Sequence, residues 1–222
     1  MRLPESANLR LTKSTRVSII EIDIGVEKGS CNMSGKKERT RELILEKAYH
    51  LFAQKGFRQI TMKDVCEETG LSRGGLYSHF SGTAEIFEAI IDKLNQKDEM
   101  NFYREMNDGI SAVKILNGAL RLMEEEMKHP EASLSLAMYE YAGTVDKGML
   151  SHYNKLGEKK WMDLIEYGVS RGEFKAVDTY EIVNVILYAY QGVRMWSRIV
   201  DMTPEAFQAI TSHIRKQLVK ES

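Results

Sequence analysis

The segment from residue 73 to residue 79 concentrates polar chemistry in a short stretch of sequence. Four of its side chains can donate a hydrogen bond: Arg73, Tyr77, Ser78 and His79. Gly74 and Gly75 lie among them, and each costs a helix about 1 kcal/mol relative to alanine, so a helix kept only for core packing would seldom carry both. Glycine also lets another molecule approach the backbone closely. This composition favours a helix that contacts DNA; the alternative is a small helix pair inside an ordinary helical protein.

Two short helices joined by a tight turn are predicted to present this segment. Thr61 followed by Asp64 is a capping signature that begins a helix. The apolar stripe of that helix has helical spacing and consists of Met62, Val65 and Cys66. Gly70 ends the helix, and Ser72 is a good N-cap for a second one that extends to about His79. This pattern predicts a helix-turn-helix, whose second helix enters the DNA major groove.

The region from Lys36 to Ile90 resembles the DNA-binding domain of the TetR family of bacterial transcriptional regulators. The matching residues are Ile44, Ala48, Leu51, Phe52, Lys55, Gly56, Phe57, Thr61, Asp64, Val65, Gly70, Leu71, Ser72, Leu76, Tyr77, Phe80, Glu85 and Phe87. They span four helices in the family's order. Beyond Leu94 only the length and the helix pattern resemble the family. The resemblance implies an all-α regulator with a DNA-binding domain followed by a ligand-binding and dimerisation domain.

Two positions depart from the family's usual pattern. The family commonly has a lysine that meets a DNA phosphate at the start of its fourth helix, where this chain has Thr83. A hydroxyl or a backbone N–H at a helix N-terminus can still bind phosphate, but the positive charge is missing. The small residue that usually follows the position of Gly74 is replaced by Gly75.

Twelve residues are predicted to contact a double-stranded DNA operator. We expect Arg73 and His79 to reach base edges. Four others are expected to bind phosphates, which fix register without reading sequence: Thr61, Lys63, Ser72 and Tyr77. For Lys36 and Lys37 a solvated helix start is an equally good interpretation. The full predicted set is Lys36, Lys37, Thr61, Lys63, Ser72, Arg73, Gly74, Gly75, Tyr77, Ser78, His79 and Thr83.

Charge is unevenly distributed along the 222 residues, although the formal net charge is only −1. Residues 33–81 carry a net charge of +3 and residues 82–222 a net charge of −5. We call residues 33–81 the head and residues 82–222 the body. A basic head on an acidic body suits a protein that binds DNA with one end, although chance segregation of this size is not rare. The apolar run from Ile182 to Val200 is interrupted by polar and charged residues, which argues against a membrane span. With no signal peptide and only two cysteines, the chain is predicted to be cytoplasmic.

The first 32 residues differ in sequence pattern from the rest of the chain. Residues 17–24 partly alternate and could form a short strand, but nothing else in the sequence offers a strand partner. The purine-rich codons of Glu27-Lys28-Gly29 can contain a ribosome-binding sequence, three codons before Met33. We therefore hypothesise that Met33 is the true start and that the preceding residues are translated leader sequence. A genuine flexible arm is the alternative.

Apolar periodicity predicts nine helices and no sheet. The first runs from Lys36 to Gly56, and the fourth, from Glu85 to about Tyr103, connects head and body. The other predicted helices span residues 61–69, 73–79, 110–128, 131–141, 147–171, 178–200 and 205–220. The expected organisation is a leader or arm (1–35), a helix-turn-helix domain (36–82, extending to about 96 in the family) and a helical ligand-binding and dimerisation domain (83–222).

The body is rich in methionine and aromatic residues at inward-facing positions. Methionine fills irregular space and recurs at adaptable binding surfaces, and a buried tyrosine or tryptophan needs a hydrogen-bond partner that a ligand can supply. Plain core packing remains the alternative for any one of these residues. For the whole set we expect a mostly apolar cavity for a small-molecule effector. Its predicted lining is Phe102, Tyr103, Met106, Met123, Met127, Met138, Tyr139, Tyr153, Trp161, Tyr188 and Gln191.

No arrangement of residues suited to catalysis emerges from the sequence. The five histidines are scattered without metal-ligand spacing, and there is no phosphate-binding loop, dinucleotide fingerprint or nucleophile elbow. We therefore expect no cofactor and no metal. The leading hypothesis is a ligand-released repressor that binds a palindromic operator as a dimer. One alternative is a DNA-binding protein without an effector. The other is an all-α enzyme that has acquired this DNA-binding domain.

The predicted helix from Asp178 to Val200 has too many apolar faces for one domain to cover. Gly192 would let a partner helix approach closely, and the last helix has a single apolar stripe. We expect these two helices to form a four-helix interface across a two-fold axis in a homodimer. The predicted contact residues are Val185, Gly192, Val193, Trp196, Phe207, Ile210 and Ile214. The alternative is burial of the apolar helix within one subunit.

Overall fold

The computed structural model describes residues 33–96 and 102–220, and within these ranges the chain forms ten α-helices and no sheet. The helices are α1 (Met33–Lys55), α2 (Met62–Thr69), α3 (Arg73–Tyr77), α4 (Thr83–Gln96), α5 (Phe102–Asn107), α6 (Ala112–Lys128), α7 (Ser135–Thr144), α8 (Lys147–Ser170), α9 (Thr179–Trp196) and α10 (Pro204–Leu218). The predicted all-α class is confirmed. None of the described helices combines the length and the apolar character needed to cross a membrane. The predicted leader, with its candidate strand, lies outside the described residues.

Two predicted helices differ from the observed elements by more than shifts of their end residues. The connector expected from Glu85 to Tyr103 contains both α4 and α5, and residues 97–101 between them lie outside the described part. The helix expected from Glu131 is replaced by a 3-10 turn over Pro130–Ala132, after which α7 begins at Ser135. Between the two elements, the Ser133 hydroxyl oxygen accepts the backbone N–H of Ser135, the first residue of α7, at 3.1 Å.

The first hydrophobic core lies among α1, α2, α3, α4 and α7. At its centre the rings of Phe57 and Phe87 lie 5.4 Å apart. The ring of Tyr141, from α7, is 5.1 Å from each of them, and its hydroxyl donates to the carboxylate of Glu88. α7 therefore completes the core of the head, and the predicted domain boundary at residue 82 falls inside this core.

The second hydrophobic core is formed by α5, α6, α8, α9 and α10. α10 packs on α6 and buries Phe207 and Ile214. At the end of α8 the backbone of Gly168 lies so close to the Phe174 ring that a Cβ atom there would be 2.2 Å from it. The body is therefore closely packed where Phe174 meets α8.

Hydrogen bonds join the body to the end of α1. The guanidinium of Arg198, just after α9, donates to the carbonyls of Ala53 (3.1 Å), Gln54 (3.2 Å) and Pro130 (2.9 Å). The hydroxyl of Tyr49 donates to the carbonyl of Ala132 at 2.8 Å. The bonds from Arg198 to Ala53 and Gln54 satisfy two carbonyls in the last turn of α1, which have no partner within the helix.

Candidate functional site

The two helices of the helix-turn-helix are capped by residues next to them in sequence. The Thr61 hydroxyl oxygen accepts the N–H of Asp64 at 3.3 Å, and the Asp64 carboxylate accepts the N–H of Thr61 at 2.8 Å. The hydrogen bonds from the Thr61 hydroxyl and N–H lower the pKa of Asp64. Gly70 ends α2 with a φ of 70°, in the left-handed region, and Ser72 caps α3 by accepting the N–H of Gly75 at 3.1 Å. The predicted cap residues are thus observed, although α3 ends at Tyr77.

The capping bonds decide which hydroxyl groups remain available to a DNA phosphate. The Thr61 hydroxyl donates to Asp64, and the Ser78 hydroxyl donates to the carbonyl of Gly75 at 2.7 Å. The Ser72 oxygen only accepts, so its hydrogen remains available. The Tyr77 hydroxyl is exposed and has no hydrogen-bond partner among the described residues. Ser72 and Tyr77 are therefore the hydroxyl donors best placed to bind a phosphate.

The two glycines of α3 have different surroundings. A Cβ atom at Gly74 would have no atom within 4 Å, whereas a Cβ atom at Gly75 would lie 3.2 Å from the Ser72 hydroxyl oxygen. Gly75 thus leaves room for the N-cap of its own helix. Nothing in the fold requires glycine at position 74, and its exposed backbone offers a surface that DNA can approach closely.

The remaining predicted DNA contacts differ in exposure. Lys36, Lys37, Lys63 and Arg73 are exposed, and the guanidinium of Arg73 lies 5.6 Å from the centre of the Tyr77 ring. His79 follows the end of α3 and is half-buried, with its Nδ1 atom shielded and without a protein partner.

An acidic side chain lies next to the start of α4. Thr83 is the first residue of this helix, and two residues later the carboxylate of Glu85 accepts both the N–H and the hydroxyl of Ser81 at 2.7 Å. These bonds lower the pKa of Glu85 and hold a negative charge close to Thr83. Thr83 is therefore less suited to binding a phosphate than Ser72 or Tyr77.

A cavity of about 260 Å³ lies in the body between α4, α5, α6, α7, α8 and α9. Six of the eleven predicted ligand-binding residues line it: Phe102, Met123, Met138, Tyr153, Trp161 and Gln191. The hydroxyl of Tyr153 donates to the carboxylate of Asp92 on α4 at 3.0 Å, and burial together with this bond raises the pKa of Tyr153. Asn95, in the last turn of α4, also lines the cavity. The helix that begins at the helix-turn-helix thus reaches the cavity with its other end.

Comparisons with known proteins identify the family. A family described as bacterial regulatory proteins, tetR family, matches residues 44–90. The chain is 31% identical over 151 residues to the uncharacterized HTH-type transcriptional regulator YfiR of Bacillus subtilis, and this similarity covers 64% of the chain and 71% of that protein. The chain belongs to the TetR family of transcriptional regulators.

Further TetR-family proteins are similar in sequence or fold. The HTH-type transcriptional repressor KstR2 of Mycobacterium tuberculosis is 25% identical over 151 residues, covering 64% of this chain and 73% of that protein. The crystal structure of a TetR-family transcriptional regulator from Agrobacterium tumefaciens matches with a TM-score of 0.72 at 12% identity. That match covers 83% of this chain and 100% of the other. At this identity the likeness is one of fold.

Five predicted ligand-binding residues of this TetR-family chain lie away from the cavity. Tyr139 and Tyr188 are exposed, because each lies on a helix face turned to solvent. The Tyr103 hydroxyl donates to Asp163 at 2.5 Å, and Met106 packs against the second core. Met127 is fully buried in that core and borders a different cleft, beside Arg198.

The predicted dimer residues separate into outward-facing and inward-facing groups. Val185, Gly192 and Trp196 are exposed on α9, and Ile210 is half-buried on α10. Val193, Phe207 and Ile214 are instead buried in the subunit's own core. This part of the interface prediction is corrected. α9 is apolar almost all round, and the sequence pattern could not separate its inner face from its outer face.

Sequence reasoning missed several polar residues that line the cavity: Asn95, Asn154, Lys160 and Tyr190. Lys160 precedes Trp161, which was predicted, and Tyr190 precedes Gln191, which was also predicted. Asn154 likewise follows Tyr153, which was predicted, whereas Asn95 adjoins no predicted ligand contact. Among the described residues, no cluster of three or more histidine, cysteine or acidic side chains could hold a metal ion.

Proposed function

We propose that the protein is a dimeric repressor that binds a two-fold symmetric operator through α2 and α3 and releases it when a small molecule fills the body cavity. The main observation in support of this proposal is the position of the two ends of α4. Its first residue, Thr83, adjoins the helix-turn-helix, and Asn95 near its end lines the cavity. A single helix therefore touches both sites.

The proposed switch acts through the spacing of the two recognition helices. In a two-fold dimer these helices must lie about 34–36 Å apart to reach successive major grooves. A ligand that displaces the Asn95 end of α4 would change the position of Thr83 and of the head attached to it. The ligand releases DNA only if it binds the released state more tightly than the DNA-bound state.

The outer face of α9 supports a dimer. Five residues at helical spacing form an exposed, largely apolar stripe along α9 and the turn after it: Val185, Tyr188, Gly192, Trp196 and Ile199. The side chain of Trp196 is 60% exposed in the single subunit, and a Cβ atom at Gly192 would meet nothing within 4 Å. An isologous contact between two copies of this stripe would bury these side chains. Tyr188, first predicted as a ligand contact, belongs to this stripe.

The dimer is tested by placing a charge in the stripe. Trp196→Glu should give folded monomers that bind operator weakly, because an unpartnered charge at an apolar interface is costly. Val145→Glu, at an exposed apolar residue just after α7, is the matched control and should remain dimeric. Light scattering gives the mass of each variant. A Trp196→Glu protein that stays dimeric at micromolar concentration would exclude this face.

The repressor function is tested by selecting the operator from random DNA duplexes. We expect an inverted repeat whose half-sites are centred about one helical turn, 10–10.5 base pairs, or a multiple of it apart. A thermal-shift screen of small molecules then identifies ligands, since a ligand that binds the folded state raises its stability. Ligands found in this way should lower operator affinity in a gel-shift titration. A selected operator together with ligands that leave its affinity unchanged would favour the DNA-binding protein without an effector.

A further inference from the structure

The side chain of Arg198 joins the end of α9 to the end of α1. From Nη1 the guanidinium donates to the carbonyl of Ala53 at 3.1 Å, and from Nη2 to the carbonyl of Gln54 at 3.2 Å. A third bond connects Nη1 to the carbonyl of Pro130 at 2.9 Å. A cation at a helix C-terminus also interacts favourably with the helix dipole. One side chain from the body therefore binds the end of a helix in the head.

The backbone that carries Arg198 continues directly from α9. The carbonyl of Trp196 accepts the N–H of Ile199 at 2.9 Å, and the Ser197 hydroxyl donates to the carbonyl of Val193 at 2.7 Å. These bonds fold the turn onto the last turn of α9, so the backbone of Arg198 has a defined position relative to that helix. Trp196 and Ile199, on either side of Arg198 in the sequence, belong to the exposed apolar stripe.

Three bonds to backbone carbonyls are well suited to an arginine. The guanidinium is planar and presents its N–H groups as a rigid fork, so that several bonds together fix the angle of the group as well as its position. A lysine ammonium carries the same charge but lacks this plane. The three carbonyls belong to α1 and to the 3-10 turn over Pro130–Ala132. Arg198 therefore holds α9, this turn and α1 in one arrangement.

Two further side chains bind the same turn from the two helices. Arg194, on α9, donates to the Ser133 hydroxyl oxygen from Nε at 3.1 Å and from Nη2 at 2.7 Å. The Tyr49 hydroxyl, on α1, donates to the carbonyl of Ala132 at 2.8 Å. Residues 130–133 are thus bonded to both helices. Of the three side chains, Arg198 is the one that bonds the turn and α1 together.

The end of α1 shares a hydrophobic core with the recognition helix α3. Phe52 and Ala53, near the end of α1, are buried in the first core together with Val65 of α2 and Leu76 of α3. Protein interiors are close-packed and transmit strain instead of absorbing it. A movement of the α1 end relative to α9 therefore carries α3 with it.

We infer that Arg198 is a positioning residue for DNA binding, which sets the angle of the head relative to α9 and thereby the spacing of the two recognition helices in a dimer. Arg198 acts through α1 and needs no contact with DNA. The claim about spacing rests on the proposed function, since it requires the dimer on the α9 stripe and a two-fold operator. The claim about the angle of the head concerns a single subunit and does not.

The angle of the head is tested by a distance within one subunit. Spin labels are attached at the exposed residues Glu67 of α2 and Lys155 of α8, through a ketone-bearing amino acid that leaves the two cysteines unmodified. Excess unlabelled protein keeps each dimer to one labelled subunit, and pulsed electron paramagnetic resonance gives the distance distribution. Arg198→Met keeps the length of the side chain but has no donor. It should broaden or displace the distribution relative to the unmodified protein.

A matched control and a conservative variant complete this measurement. Arg121→Met, at an exposed arginine of α6, should keep the distribution of the unmodified protein. Arg198→Lys should give an intermediate distribution, because the charge remains without the planar fork. A distribution unchanged in Arg198→Met overturns the inference. If circular dichroism shows that Arg198→Met does not fold, Arg198→Lys decides, and an unchanged distribution in that variant overturns the inference.

The spacing is tested with the operator selected from random duplexes and with two versions that have one base pair added or removed between the half-sites. Each change shifts and rotates one half-site, so the unmodified dimer should bind both versions about tenfold or more weakly. Arg198→Met should bind the selected operator about tenfold more weakly, because only a fraction of its heads have the competent angle at any time. Its affinities for the three duplexes should agree within about threefold, since its heads can follow a displaced half-site.

The outcome of the gel-shift titrations separates positioning from a loss of stability. Light scattering checks that Arg198→Met and Arg121→Met remain dimeric, and Arg121→Met should bind all three duplexes as the unmodified protein does. If Arg198→Met binds more weakly but keeps the full preference for the selected spacing, Arg198 only stabilises the fold and the inference is overturned.

The two measurements also distinguish this inference from the proposed function. A chain that selects no inverted repeat, or that stays monomeric, contradicts the proposed function, and the distance within one subunit then decides the role of Arg198. A dimer that binds an inverted repeat but shows an unchanged distance distribution in Arg198→Met contradicts the inference and leaves the proposed function standing.

Discussion

The helices of the proposed DNA-contact surface and the helix α6 of the body are held by different kinds of contact. α2 and α3 are capped by Thr61 and Ser72, each within three residues of the N–H that it accepts. Ser111, at the start of α6, makes no such bond. The carboxylate of Glu173, 60 residues further along the chain, accepts the N–H of Val113 at 3.1 Å and the Ser111 hydroxyl at 2.7 Å. The first arrangement is local, whereas the second exists only in the folded body.

The local caps of α2 and α3 and the distant cap of α6 depend on different parts of the chain. A local cap forms as its helix forms, so the proposed contact surface needs little from the body to have its shape. A distant cap joins the start of α6 to the end of α8, and both helices line the cavity. α8 and α9 also have local caps, from Asp146 and Asp178, so the contrast applies to α6 and not to the whole body.

The largest expected effect is on the free energy of unfolding, at a residue of the body that packs in the core of the head. Tyr141 belongs to α7 but lies in the core of the head. Tyr141→Ala should lower the free energy of unfolding by about 3–5 kcal/mol, because a buried aromatic ring is lost and a cavity remains. Tyr139→Ala, at an exposed tyrosine of the same helix, should cost far less. Urea denaturation measures both, and similar costs would mean that the head does not depend on α7.

A smaller effect, on binding and not on folding, is expected at Arg73. If Arg73 reads a base edge, Arg73→Ala should weaken binding to the selected operator by about 1–3 kcal/mol and relax specificity at one position of each half-site. Tyr77→Phe removes a phosphate donor and should weaken binding to all sequences alike. Gel-shift titrations at fixed salt with operator and single-base variants separate the two patterns. Uniform weakening by Arg73→Ala would assign Arg73 to a phosphate.

The distant cap is tested through Glu173. Burial by itself would raise its pKa, but hydrogen bonds from Arg171, Ser111 and Val113 more than offset this and lower the pKa of Glu173 to about 2. The folded state therefore binds the proton less readily than the unfolded state does. The stabilisation is fully present at neutral pH and is lost as the pH falls from the usual carboxyl pKa, about 4.5, towards 2.

Glu173→Gln should lower the free energy of unfolding by about 1.5 kcal/mol at pH 7, since a hydrogen-bonded charge is removed. The difference from the unmodified protein should shrink as the pH is lowered to 3. Glu166→Gln, at an exposed residue of α8, is the matched control and should show little effect at either pH. A Glu173→Gln difference that is independent of pH would show that the carboxylate charge does not stabilise α6.

The smallest expected effect compares the two glycines of α3. Gly74→Ala should stabilise the head by about 0.5–1 kcal/mol, because alanine is the better helix former and its methyl group meets no other atom. The same change should weaken operator binding if DNA approaches this backbone. Gly75→Ala should stabilise less, because its methyl group would crowd the Ser72 cap. If Gly74→Ala binds the operator as tightly as the unmodified protein does, DNA does not approach the backbone closely at position 74.

The sequence could predict the local features of the head but not the long-range features of the body. The caps Thr61 and Ser72 and the helix stop at Gly70 depend on residues a few positions apart, and all three are observed. The distant cap at Glu173 depends on packing between elements far apart in sequence. The same limit explains the assignment of Val193 to the dimer face and the omission of Tyr190 from the cavity, because on an almost wholly apolar helix the neighbouring elements decide which side is buried.

The position of Tyr141 limits how the DNA-contact unit could be transferred to another protein. A chimaera that fuses residues 33–96 to a foreign ligand-sensing body would leave the rings of Phe57 and Phe87 facing an empty space where the tyrosine now lies. Two apolar residues of the same core, Leu134 at the N-cap of α7 and Ala137 within it, would be missing as well. A working graft has to carry α7 with it, or supply an aromatic side chain of similar size from the new body at the same place. For engineering purposes, the unit to transfer is therefore defined by the core it shares and not by a continuous stretch of sequence.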